Sequence, residues 1–166
     1  MMKKSSACIL ILFCITAFLG LGSALGQTKS KDANNFTLPL GDGISLSMSI
    51  ATFEPGAHKI TKCKIINWEG VCLIDDKPVF GTDWELPKKQ LNRASLKLAG
   101  NSIDLDVSCM FNPWFGKPRT GDFSIKKIEG GYLLHGSFSD AAGSYEAEWL
   151  IIQNAAVRTK LAKKEC

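Results

Sequence analysis

The chain is poor in the residues and spacings on which many enzymes depend. It has 166 residues but only two histidines and two tyrosines. It contains no Gly-x-Ser-x-Gly elbow, no His-Glu-x-x-His pair, no phosphate-binding glycine loop and no dinucleotide fingerprint. A large excess of one charge is also missing, because 20 basic and 16 acidic residues give a net charge of +4. We therefore expect a protein that is not an enzyme and that binds no cofactor, metal or nucleic acid.

Composition excludes further classes. Hydrophobic residues make up 45% of the chain and charged residues 22%, which is typical of a globular domain. A disordered chain, a collagen-like repeat and a coiled coil are excluded on the same basis. Beyond residue 26, no segment is long and apolar enough to cross a membrane.

The long uncharged run of the sequence lies near its N-terminus. Lys3 and Lys4 precede an uncharged stretch over residues 7–25 that ends in small side chains. This order predicts a signal peptide over 1–26, cleaved after Gly26 or alternatively after Ala24. An uncleaved membrane anchor is the competing interpretation. We expect a single β domain over 27–166, exported to the periplasm or outside the cell and not membrane-bound after cleavage.

Export changes the interpretation of the cysteines. Two of the six precede residue 27, which leaves Cys63, Cys72, Cys109 and Cys166. An even number in an oxidising compartment predicts two disulfides. A short hairpin through residues 67–70 favours Cys63–Cys72 and leaves Cys109–Cys166. A free terminal thiol at Cys166 that forms dimers is the alternative.

Apolar and polar residues alternate over most of the domain. The alternation is regular over residues 44–50, 103–109 and 145–151, and glycine- or aspartate-rich turns separate the segments. This pattern predicts an all-β fold, an antiparallel meander closing into a sandwich or barrel, with at most one or two short helices. One candidate helix covers 86–91, and residues 154–164 form either a second helix or, as we favour, a last hairpin.

One segment departs from the alternating pattern. Residues 110–122 contain two prolines and two glycines, together with large aromatic and basic side chains: Phe111, Trp114, Phe115, Lys117 and Arg119. Loops of this length in compact domains are usually functional or disordered, and the aromatic content argues against disorder. The segment is therefore an inward-folded plug with core aromatics, a partner-binding loop, or the mouth of a small-molecule cavity.

Few titratable residues are candidates for a hidden site. His58 follows a predicted turn, and His135 lies in a predicted strand. Glu146 and Glu148 share one face of another strand, where two carboxylates serve acid–base chemistry or bind a hard cation. A solvated outer surface is the interpretation that we favour for this pair.

These observations favour a binding module that blocks another protein. In size, export and fold class the chain is similar to periplasmic inhibitors and immunity proteins that neutralise lysozyme-like or effector enzymes. On this hypothesis Trp114, Phe115 and Arg119 occupy the cleft of the partner, with Trp68 and Glu69 at a hairpin tip adding a second contact.

Two further interpretations stay open. A small-molecule carrier would hold its ligand in an apolar barrel cavity lined by Phe138, Tyr145 and Trp149. A structural protein of the cell surface would associate through exposed strand edges.

Overall fold

A computed structural model describes residues 34–139 and 143–164 of the chain. The predicted signal peptide over 1–26 and the predicted disulfide partner Cys166 lie outside these residues. The described part contains eleven strands and two short 3₁₀ turns, at Pro55–Ala57 and Thr120–Asp122. The strands are β1 (Asn34–Gly41), β2 (Ile44–Thr52), β3 (Ile60–Ile65), β4 (Trp68–Ile74), β5 (Lys77–Pro78), β6 (Lys89–Leu98), β7 (Asn101–Leu105), β8 (Phe123–Ile128), β9 (Gly131–Phe138), β10 (Tyr145–Ile152) and β11 (Ala155–Lys163).

Two four-stranded antiparallel sheets form the body of the domain. One has the strand order β1-β2-β6-β7, and the other has the order β11-β10-β9-β8. Strand β7 lies against β11, and β1 lies beside β8, so the sheets also meet along both sides. The predicted all-β antiparallel fold is confirmed, and the arrangement is that of a sandwich.

The core between the sheets follows the alternation of the sequence. On β2, the residues Ile44, Leu46, Met48 and Ile50 are buried while the serines between them are not. Strand β10 repeats the pattern, with its odd-numbered residues buried over 145–151. A period of two places alternate side chains on opposite faces, so these residues fill one hydrophobic layer.

A small three-stranded sheet, β3-β4-β5, is inserted between β2 and β6. It has its own hydrophobic cluster of Phe53, Val71, Ile74 and Phe111. Phe111 comes from the 110–122 segment, and Trp114 of the same segment belongs to the core of the sandwich. The segment therefore contacts both the small sheet and the sandwich.

The hairpin between β3 and β4 carries the predicted disulfide. Cys63 and Cys72 are bonded across the two strands, with Cα atoms 5.7 Å apart. The turn itself differs from the predicted one over 67–70. Ile65 pairs with Trp68, so Ile66 and Asn67 form the turn and Trp68 begins β4.

The predicted helix over 86–91 is wrong. Lys89 starts strand β6 and pairs with Thr52 of β2, while the carbonyl of Lys88 accepts a hydrogen bond from the Phe53 amide. Pro87 suits a first helical turn, but pairing with a central strand satisfies more backbone groups than an isolated turn would. Residues 155–163 form β11, which confirms the last hairpin.

Strand β7 is shorter than the predicted strand over 103–109. Ile103 and Leu105 are buried as expected, but the strand ends at Leu105. Cys109 follows with a positive φ of 64° and is not disulfide-bonded in the structure. The pairing of Cys109 with Cys166 stays a prediction, because Cys166 lies beyond the residues that the structure covers.

Candidate binding site

The 110–122 segment folds inward at its first half. Trp114 is only 7% exposed, and its ring centroid lies 5.2 Å from that of Phe138 and 5.9 Å from that of Phe123. Phe111 is buried in the cluster of the small sheet. Phe111 and Trp114 therefore lie as the inward-folded plug predicts, and their predicted role as binding residues at the surface is corrected. Phe111 packs against Phe53 beside the small sheet, and Trp114 packs against aromatic rings of β8 and β9.

The second half of the segment stays outside. Phe115 is 73% exposed, and Lys117 and Arg119 are exposed as well. Arg119 is tied to Asp122, because its backbone amide and its guanidinium both donate to that carboxylate, at 2.8 and 3.0 Å. Of the predicted binding residues in this segment, the structure leaves these three side chains accessible to a partner.

Asn112 joins the segment to the residues that precede β6. Its carboxamide oxygen accepts hydrogen bonds from the backbone amides of Lys88 and Lys89 at 2.9 and 3.0 Å. Its Nδ2 group donates to the carbonyl of Gly81 at 3.0 Å. One side chain thus satisfies three backbone groups and fixes residues 81–89 against residues 110–112.

Gly81 and Tyr145 reinforce this junction. Gly81 has a φ of +83°, and a Cβ atom at this position would collide with the carbonyl oxygen of Phe111. The Tyr145 hydroxyl donates to the same carbonyl at 3.1 Å, and its burial raises the pKa of Tyr145. The carbonyl of Phe111 is therefore held between a glycine backbone and a neutral phenol.

A surface cavity of about 320 Å³ opens beside this junction. Leu86, 43% exposed, and Phe115 line it together with Trp114. Charges of both signs also line it: Asp83, Glu85, Lys88 and Lys89. An apolar pair with mixed charges around a concave surface is suited to binding a segment of another molecule.

Trp114, in the wall of this cavity, carries an unusual polar group. Its indole Nε1–H is buried away from solvent and has no hydrogen-bond acceptor among the described residues. A buried donor left without an acceptor costs about 1–3 kcal/mol.

Trp68 and Glu69 lie on the β3–β4 hairpin, apart from the 110–122 segment in sequence but linked to the cavity wall. Trp68 packs edge-on against Trp84, with ring centroids 6.1 Å apart. Trp84 stands between Asp83 and Glu85, which line the cavity. Glu69 forms an ion pair with Lys62, its carboxylate 3.6 Å from the Nζ atom.

The candidate carboxylates on β10 lie beside basic side chains. The Nε2 atom of His135 lies 3.8 Å from Glu146, and its Nδ1 atom lies 3.5 Å from Glu148. Lys160 hydrogen-bonds Glu146, and this bond is the main cause that lowers the pKa of Glu146. The two glutamates share the outer face of the sheet, as the alternation predicted. Among the described residues no group of three or more metal-binding side chains occurs.

A second cavity, of about 440 Å³, contains Cys109, His58 and Asp75. His58 Nδ1 lies 2.7 Å from Asp75, and this hydrogen bond lowers the pKa of the Asp75 carboxyl. Burial raises the pKa of the Cys109 thiol. A protonated thiol is a poor nucleophile, so the arrangement does not resemble an activated Cys–His pair.

The residues predicted to line a carrier cavity are packed against one another. Phe138 stacks on Tyr145 with centroids 5.2 Å apart, and it meets Trp149 edge-on at 6.2 Å. All three side chains are at most 1% exposed.

Three residues of the site are not apparent in the sequence. The Asn112 side chain donates a hydrogen bond to the carbonyl of Gly81, which lies 31 residues earlier in the chain. Leu86 belongs to the segment that was predicted as a helix. The Asn-Pro step at 112–113 and the glycine at 81 each mark a turn in the sequence. Neither of them indicates that the two positions contact each other.

Comparisons with protein-family models, with curated proteins and with solved structures found no match. In the described part of the chain, no helix is long and apolar enough to span a membrane.

Proposed function

We propose that this protein is an exported binding module of the inhibitor or immunity type, which blocks another protein through the surface around Phe115. The observation that carries the proposal is the exposure of Phe115, 73% accessible on a segment whose other large aromatic side chains are buried. An exposed ring on a fixed backbone loses little conformational freedom when a partner covers it.

Rigidity of the frame supports this proposal. The Asn112 carboxamide binds three backbone groups, and Tyr145 binds the carbonyl of Phe111. Phe115 and Leu86 are thereby presented at the rim of one cavity. Interfaces concentrate binding energy in a few aromatic anchors beside a well-formed pocket.

Chemistry inside the cavity supports a partner that brings an acceptor group. Lys88 and Lys89 line the cavity, and both side chains are exposed. A backbone carbonyl or a carboxylate of the partner has the chemistry to pair with these donors.

Capture of a partner by matched variants tests the proposal. The purified protein, Phe115→Ser, Leu86→Ser and the control Val157→Ser are immobilised and exposed to the envelope and medium fractions of the source cells. Val157 is a suitable control because it is 63% exposed on β11, outside the cavity. We expect one protein to bind the wild type and Val157→Ser at least about 30-fold more tightly than Phe115→Ser.

Activity of the captured protein completes the test. The wild type should inhibit it in a purified assay, and Phe115→Ser should not. Equal capture by all four proteins, or capture without inhibition, would contradict the proposal.

A further inference from the structure

The outer face of the β8–β11 sheet has an apolar half. Val157 is 63% exposed and Ile152 is 48% exposed. Ile128, Leu133 and Leu150 are half-buried on the same face, and neither hydrophobic cluster includes them. These five side chains, which we name the outer patch, are therefore apolar surface that the core of the protein does not use.

The register of the sheet joins the outer patch into two neighbouring rows. The first row crosses the four strands through Ile128, Gly131, Ile152 and Ala155. The second row crosses them through Lys126, Leu133, Leu150 and Val157. Of these eight positions only Lys126 carries a charge, and it lies on β8 at the border of the sheet. The outer patch is therefore continuous across all four strands.

The outer face of the other sheet has a different composition. Strand β2 directs Ser45, Ser47 and Ser49 outward, and β6 places Arg93 and Ser95 beside them. An antiparallel sheet that faces water carries polar side chains, whereas a continuous exposed apolar surface is typical of an interaction site. The contrast between the two faces indicates that another surface covers the outer patch.

We propose that a second copy of this chain covers the outer patch. In the dimer, the two β8–β11 sheets pack face to face about a two-fold axis that runs parallel to the strands, between β9 and β10. This axis places β9 of one copy over β10 of the other, and β8 over β11, with each row facing the same row. Closed two-fold dimers are the commonest oligomers, and aligned packing is one of the ways in which two sheets meet.

The side chains of the two rows are complementary in size about this axis. Leu133 faces Leu150 of the second copy at the centre of the second row. In the first row, Ile152 faces Gly131 of the second copy, which has no side chain. A large side chain thus meets an empty position on each side of the axis, which allows the two faces to interdigitate.

The charges of a third row are complementary as well. This row follows the second and crosses the strands through Ser124, His135, Glu148 and Lys160. The axis places His135 opposite Glu148 of the second copy, and Lys160 opposite Ser124, so that no like charges meet. A lipid bilayer or another apolar ligand supplies no partner for the imidazole and the carboxylate of this row, whereas a second copy supplies both.

The size of the face sets the strength of the dimer. Four strands about 4.8 Å apart and about 25 Å long form a face of roughly 500 Å² in projection. Both copies together then bury at least about 1,000 Å², which is the lower end of specific interfaces. Lys126 lies at the border, where its aliphatic stem covers Val157 of the second copy and its ammonium group reaches water. We therefore expect a dimer with a Kd in the micromolar range.

Analytical ultracentrifugation of the purified protein tests the inference. The mass is measured from about 1 µM to about 500 µM for the wild type, Leu150→Lys, Leu133→Asp and the control Ser95→Lys. Ser95 is a matched control because it is half-buried on the outer face of the other sheet, opposite Asp104. We expect the wild type and Ser95→Lys to reach twice the monomer mass, and each leucine variant to bind itself at least about 30-fold more weakly.

A mixture of the two leucine variants tests the axis. Because Leu150 faces Leu133 across it, a mixed dimer contains one Lys–Asp pair and one intact leucine pair, while each variant alone buries two unpaired charges. We expect the equimolar mixture to form dimers at concentrations at which neither variant does. Both variants should unfold within a few degrees of the wild type, because the two leucines lie outside the core.

Three outcomes would contradict the inference. A wild type that stays monomeric at every concentration would assign the outer patch to a different partner. Association that the leucine variants leave unchanged would place the contact on another face. A mixture that stays monomeric, although each variant has lost the dimer, would overturn the two-fold arrangement.

The inference is separate from the function proposed for the Phe115 surface. None of the residues in the three rows lines the cavity beside Phe115. Phe115→Ser should therefore dimerise as the wild type does, and Leu150→Lys should still capture the partner. A loss of dimers in Phe115→Ser would place the contact between copies on the Phe115 surface and reject the inference.

Discussion

At the scale of the residue, two neighbours with similar chemistry have opposite surroundings. Trp114 is 7% exposed between Phe123 and Phe138, whereas Phe115 is 73% exposed. The sequence shows that both are large aromatic residues in an irregular segment. It does not show which of them faces the core, because prolines and glycines remove the period of two that assigns faces elsewhere.

Truncation of the two rings should therefore have different effects. Trp114→Ala removes a large buried side chain and should lower the free energy of unfolding by about 3–5 kcal/mol. Phe115→Ala removes exposed surface and should change it by about 0.5 kcal/mol or less. Urea denaturation of both variants measures the difference. A cost for Phe115→Ala as large as that for Trp114→Ala would mean that Phe115 is a core residue.

At the scale of the element, alternation predicted the strands and missed where the chain leaves them. The inward residues of β2 and β10 were predicted correctly from period two alone. The predicted helix over 86–91 failed because its second half pairs with β2, a partner some 40 residues away in the chain. The β3–β4 turn was placed late because no glycine marks it, and Ile66 is not a residue that turn statistics favour.

The disulfide of this hairpin should contribute measurably to stability. Cys63 and Cys72 are nine residues apart. Closing a loop of that size lowers the entropy of the unfolded chain and so stabilises the fold by about 2–3 kcal/mol. The double variant Cys63→Ser/Cys72→Ser should lose up to that free energy of unfolding in guanidinium denaturation. Lys64→Ser, at an exposed position of the same hairpin, leaves the bond intact and is the control. An undiminished free energy of unfolding in the double variant would show that the bond is not formed or does not constrain the unfolded chain.

At the scale of the whole molecule, the described chain has two hydrophobic clusters of unequal size. The larger one lies between the two sheets of the sandwich and draws on both of them. The smaller one has four buried members under the β3-β4-β5 sheet. The fold class followed from the sequence, but this division did not, because the small sheet takes Phe111 from a segment that comes much later in the chain.

The unequal clusters predict unequal opening. Backbone amides of β3 and β4 should exchange with solvent faster than those of β2, β9 and β10, because fewer apolar contacts must break to expose them. Hydrogen exchange followed by mass spectrometry compares these strands under native conditions. Identical protection in the small sheet and in the sandwich would show that the molecule opens as one unit.

The meeting of the two sheets along both sides has a consequence for how copies of this chain behave when concentrated. Because β1 lies beside β8 and β7 against β11, a second copy has little room to add a strand along the body of the domain. Strand β3, at the border of the small sheet, has unpaired backbone groups on one side, but it carries Lys62 and Lys64. Two copies aligned there would bring like charges together, so these two lysines oppose growth into fibres.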